Sequence, residues 1–203
     1  MAIDANQPFD LRGGSPALDF VNTAPRLPGE TEKLATYADL LRFCAAVSAV
    51  DKATAGRLTA EGSRHPRLAA DALASAIALR EALYGLVLAS VEGRRADPAL
   101  VTVIDGWISS ALSARRLKPS ADGGYELALQ ASNDLLSILH PVALAAADLL
   151  TSRLDRLRLC EEHEVGKCAW LFLDDTKNGS RKFCSMEECG NRAKQRRFQA
   201  RQR

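Results

Sequence analysis

The chain has 203 residues, 47% of them apolar and 26% charged, with a formal net charge of only +2. That is ordinary globular composition and excludes disorder along the whole chain. A body of about 150 residues buries roughly 68–70% of the surface its unfolded chain exposes, so it needs no staples to fold.

The net charge hides an asymmetry. Residues 1–150 hold 14 Lys and Arg against 17 Asp and Glu, whereas residues 151–203 hold 13 against 8. A basic end on a mildly acidic body points to a polyanionic partner for that end alone; the plainer reading is a solvated basic tail. The opening "MAIDANQPFDLRGG" has no basic stretch followed by an apolar one, so no secretory signal is expected. The most apolar run, His140–Leu150, is short of a membrane span and contains Pro141, and we expect a cytoplasmic protein.

In chain order, Phe9–Leu11 and Leu18–Val21 read as short strands separated by Gly13, Gly14, Ser15 and Pro16. A helix is expected over Thr36–Val47, with Leu40, Leu41, Phe43, Cys44 and Val47 at helical spacing and Thr36 and Asp39 as a capping box. Cys44 lies on the apolar face and reads as core. After a polar connection, a long Ala- and Leu-rich helix runs from Pro66 to Glu92, broken by "RRADP". A further helix over Pro98–Arg116 is expected to bury Val101, Ile104, Trp107, Ile108 and Leu112. Tyr125, Leu127 and Leu129 then alternate behind "DGG", which predicts a β-hairpin. From Ser132 a helical pattern runs towards Arg158 with a break at Pro141. The fold class is α+β: a mostly helical domain over 1–158 with small β elements, and a small module over 159–203.

No glycine-rich phosphate loop occurs, and "RGGSP" fits neither nucleotide-binding spacing. His65, His140 and His163 have no nearby partners that mark a triad, and Asp174–Asp175 and Glu161–Glu162 read as solvated acids. We read the chain as a non-enzyme.

Four of the five cysteines fall at Cys160, Cys168, Cys184 and Cys189. A reducing compartment and an odd cysteine count argue against disulfides, and no C-x-x-C redox pair is present. Two thiol pairs around a hairpin-sized insert match a structural zinc site, with four thiolates at about 2.3 Å and no open position. The insert reads as a hairpin, "CAWLFLD" turning at Asn178–Gly179 and returning as "SRKFC". Trp170, Phe172 and Phe183 supply a small core, and a module of this size draws on metal for its folding energy. His163, inside the long loop Glu161–Lys167, is the alternative fourth ligand.

Beyond Cys189 a basic helix is expected from Asn191, with Arg192, Arg196, Gln199 and Arg203 on one face, Lys194, Arg197 and Arg201 on the next, and Phe198 packed back on the module. Knuckle, hairpin, then helix at the last ligand is the order of a treble-clef-like finger. With Arg181 and Lys182 from the insert, this helix suits phosphate contacts on double-stranded DNA. A basic helix on an acidic protein surface is the plainer alternative.

These residues carry a family resemblance. Cys189-Gly190-Asn191-Arg192, the "W-x-F-x-D" of Trp170, Phe172 and Asp174, and "CSM" at Cys184–Met186 resemble the CGNR zinc finger. "LDFVNT", Leu18–Thr23, is similar to the opening motif of the ABATE domain, which commonly precedes that finger. The resemblance implies a stress-linked bacterial transcription regulator with a DNA-binding treble clef and zinc on Cys160, Cys168, Cys184 and Cys189. The first cysteine loop is longer than the family's usual pattern, and Phe183 stands where the family often has Trp. Asp19, Asn22 and Thr23 are candidate contacts for an unknown small-molecule effector, or else caps on local structure. The body then senses a ligand or forms a homodimer; the alternative is a zinc-containing protein- or RNA-binding adaptor without specific DNA recognition.

Overall fold

The computed structural model describes residues 9–202. The signal-peptide expectation falls largely on Met1–Pro8, outside the described residues, as does Arg203.

Seven α-helices and two pairs of antiparallel strands make up the described residues. Helix α1, Pro16–Val21, occupies the place where a strand was expected, and Phe9–Leu11 forms no strand. Ser15 caps α1 by accepting the Ala17 N–H, and Pro16 sits in its first turn, where a missing N–H costs nothing. Every residue from Ala17 to Val21 is buried, so the continuous apolar run marks burial on all sides and carries no period. Helix α2, Tyr37–Ala46, starts at the expected capping box of Thr36 and Asp39. Its Phe43 lies between Phe9 and Phe20, with ring centroids 5.4 and 5.6 Å away. Cys44 is buried beside it.

The polar connection is a helix, α3, Lys52–Arg64, capped by Asp51. Only Leu58 on it is buried, which leaves no apolar stripe for the sequence to display. Helix α4, Pro66–Val91, is the central element, touching α1, α2, α3 and α5. It and the stretch Leu135–Ser152 are long and apolar enough to cross a membrane, contrary to the estimate from His140–Leu150 alone. About half of each lies within the protein core, and α4 carries a buried Arg80 forked onto Glu32 at 2.6 and 2.7 Å.

Helix α5, Pro98–Ser113, buries only Ile104 and Ala111; Trp107 and Ile108 are half-buried and Val101 and Leu112 are exposed. The predicted hairpin forms, β1 Arg115–Pro119 against β2 Tyr125–Leu129. A 3-10 turn, Leu135–Leu139, leads into α6, His140–Ser152, so Pro141 starts a helix instead of breaking one.

Strand β3, Leu157–Leu159, pairs with β4, Leu171–Leu173, in the register Leu157↔Leu173 and Leu159↔Leu171. The expected return strand at Ser180–Cys184 does not form; the chain pairs backwards, across the first two cysteines, rather than forwards. Strand β4 then separates two cores. Leu171 and Leu173 enter the main core with the helices, while Phe172 enters a second cluster with the four cysteines, Phe183 and Ala193. The period of two places alternate side chains on opposite sides. Finally a π-helical turn, Met186–Gly190, runs directly into α7, Asn191–Arg201.

Candidate metal centre and nucleic-acid interface

The body and the cysteine region meet along β4. One edge of this strand bonds β3. On the other, the Asn22 side chain donates to Leu171 O at 2.8 Å and accepts Leu171 N–H at 3.1 Å, and Leu173 N–H donates to Gly13 O at 2.8 Å. Asn22 thus acts as a one-residue strand partner. Asp19 accepts the Gly13 N–H at 2.7 Å and holds that segment in place. Thr23 Oγ1 donates to Phe20 O at 2.7 Å and receives Arg80. Asp19, Asn22 and Thr23 are therefore buried and hydrogen-bonded within the protein. Burial pushes the Asp19 carboxyl up to about 7, against the opposing Gly13 N–H, with the Asp10 charge adding to the rise.

Beyond this joint, Cys160 directly follows β3 and Cys168 precedes β4, while Cys184 stands just before the π-helical turn and Cys189 lies within it. All four thiols are buried, and their sulfurs lie within 4.8 Å of one another. Cys168 Sγ is 3.7 Å from Cys184 Sγ, which is 3.6 Å from Cys189 Sγ. A tetrahedron of sulfurs about 2.3 Å from a central zinc has edges of about 3.8 Å, whereas a disulfide needs about 2.05 Å. The donor set fits zinc. Cys168 and Cys184 donate to Cys160 and lower its pKa below the ordinary thiol range, while those two thiols are raised in turn. Neighbouring thiolates repel in a buried site, and a divalent cation removes that obstacle. His163 is exposed and lies outside the sulfur cluster.

Each residue after Cys189 has a local reason. A Cβ on Gly190 would lie 2.9 Å from the Met186 side chain. Asn191 Nδ2 donates to Glu187 O at 2.8 Å and ties α7 to the π-helical turn. Arg192 Nη2 donates to Cys189 Sγ at 2.9 Å. Arg196 forks onto Glu162, a fully buried carboxylate, at 2.6 and 2.7 Å. That pairing outweighs burial and keeps the Glu162 carboxyl below its usual range.

This geometry sorts the basic residues. Arg192 and Arg196 face the metal centre. Arg181 turns inward, donating to the Phe183 and Cys184 carbonyls and lying 4.5 Å over the Phe172 ring. Lys182 and Arg197 reach Glu161 at 2.8 and 3.4 Å and remain largely exposed. Lys194 and Arg201 are exposed with no ion pair among the described residues. Phe198 does not pack back on the module; it is 62% exposed, because Ala193 alone of α7 is buried. The role of Glu162 was not visible in the sequence, where it stood beside Glu161 as another surface acid.

Comparison with protein-family models matches residues 14–153 to ABATE, described as "putative stress-induced transcription regulator". The match covers most of the chain. This protein belongs to the ABATE family. Residues 156–202 match the CGNR zinc finger, in agreement with the buried four-cysteine cluster. No curated protein matches the chain. Neither family's description names an enzyme.

Proposed function

We propose that this ABATE protein is a DNA-binding transcription regulator in which Cys160, Cys168, Cys184 and Cys189 hold zinc and present α7 to the duplex. The observation that carries this reading is the outward face of α7. Lys194, Phe198 and Arg201 follow one another at i, i+4 and i+7 as an exposed stripe about a quarter to a third of a turn round the helix from the buried Ala193, with Arg197 between the two. Cations around a solvent-exposed aromatic suit a phosphate backbone with bases beside it. Arg192 and Arg196 set the angle of the helix, and the outward residues make the contacts. The body serves as the dimerisation or effector-sensing part.

The test is duplex binding by zinc-loaded protein against salt. Each phosphate contact contributes about −0.9 to the slope of log K against log salt. Lys194→Ala and Arg201→Ala are each expected to flatten the slope by about one contact while leaving zinc content unchanged. An absence of duplex binding overturns the reading in favour of a protein- or RNA-binding adaptor.

A further inference from the structure

We propose that the body binds a small organic anion, a carboxylate or a phosphate ester, in the cavity between α3, the β1–β2 hairpin and the start of α6. The cavity has a volume of about 270 Å³, and its cationic wall is Arg57 of α3 with Lys118 of β1. Arg57 is held half-buried with little to bind. Its Nη2 donates to Thr54 Oγ1 at 3.4 Å, a long bond, and its Nε is shielded from solvent without a hydrogen-bond partner. It forms no ion pair among the described residues. Other sheltered guanidiniums here are matched: Arg80 forks onto Glu32, Arg196 onto Glu162, and Arg26 meets Glu81. A guanidinium drawn out of water without a counter-charge is unfavourable, so an anion is what this setting lacks. Lys118 stands across the hairpin from Glu126 and also forms no ion pair among the described residues.

The remaining walls fit the same ligand. Asp51, the one carboxylate on them, accepts the Thr54 N–H at 2.7 Å and is engaged by the positive end of α3. Ser132 Oγ accepts the Asp134 N–H at 3.0 Å and keeps its own proton to donate. His140 Nε2 lies 3.2 Å from Ser110 Oγ and contributes polarity at the rim. Val50, Leu129 and Pro141 supply an apolar side. Cations on one wall and aliphatic groups on another select a charged head with a short apolar body. The size agrees, since ligand cavities start at about 300 Å³ and a polymer needs an open groove. This inference rests on reading the body as the effector-sensing part.

The experiment is calorimetric titration of the full zinc-loaded chain, without DNA, using hexanoate, hexyl phosphate, 1-hexanol and inorganic phosphate. We expect millimolar or tighter binding of at least one hexyl anion, and the preferred one names the head group. Hexanol lacks the charge and inorganic phosphate lacks the apolar body, so each should bind at least about tenfold more weakly. Arg57→Gln and Lys118→Gln should each weaken the preferred anion about tenfold, the loss of one charge-assisted hydrogen bond, with zinc content unchanged. Lys118 is exposed, so its variant decides the matter even if Arg57→Gln misfolds. No binding of either hexyl anion at millimolar concentration, hexanol binding as well as they do, or native affinity in a folded variant overturns the proposal. Duplex binding is measured separately. Its loss with anion binding intact overturns the DNA-binding reading alone, and the converse result overturns this site alone.

Discussion

At Arg192 a guanidinium stands 2.9 Å from the sulfur of Cys189, close enough to share the charge that a bound thiolate carries. A hydrogen bond to a charged group is worth about 1.5–3 kcal/mol, so its removal should be visible in metal retention. Arg192→Gln is expected to release zinc to a chelating dye about tenfold faster, with Arg192→Lys recovering part of the loss. An unchanged release rate would remove Arg192 from the metal centre. Asp19 poses a different residue-scale question. Its carboxyl rises on folding to about 7 because it is buried, so between the unfolded value near 4 and about 7 the folded state binds the extra proton. The stability contributed by this group is therefore present below the unfolded value and is lost as pH rises to about 7. Asp19→Asn keeps an acceptor for the Gly13 N–H and has no charge to bury. Thermal melts of this variant should lack the decline in Tm expected of the native chain between about pH 4 and 7.

Strand β4 is the element on which the architecture turns. Asn22 alone satisfies both polar groups of Leu171 on the body side. Asn22→Ala leaves a buried N–H and a buried C=O without partners, at about 1–3 kcal/mol each. Urea unfolding should show a stability loss of about 2–6 kcal/mol, far more than an exposed Asn would cost. The metal has a more local reach. Stripping zinc should melt the π-helical turn and α7, which bury little besides Ala193, and leave α4 to α6 helical. Circular dichroism before and after chelation would then lose the signal of about one short helix. Elements with a clear period were legible in the sequence: α2 by its capping box, α4 by its length, the first hairpin by its alternation. Those without one were not. Helix α1 is buried on all sides, α3 on almost none, and β4 is three residues with two eligible partners.

For the whole molecule, the helical body and the CGNR finger share more than a linker. Leu157, Leu171 and Leu173 complete the main core from the finger's side, while Phe172 on the same strand packs among the cysteines. The finger is fastened to the body by packing and by the Asn22 and Gly13 bonds. What the residues determined by themselves was chemistry: four cysteines at spacings suited to zinc, a basic terminal helix, and helices punctuated by Pro and Gly. Those properties are local, set by residue type and short spacing, and a linear reading captures them. Which arginines serve the metal centre and which face solvent, which strand β4 selects, and where α5 leaves apolar surface uncovered were decided only in three dimensions. Each depends on a partner far away in the chain, such as Glu162 for Arg196 or Asn22 for Leu171, and no local pattern encodes that pairing.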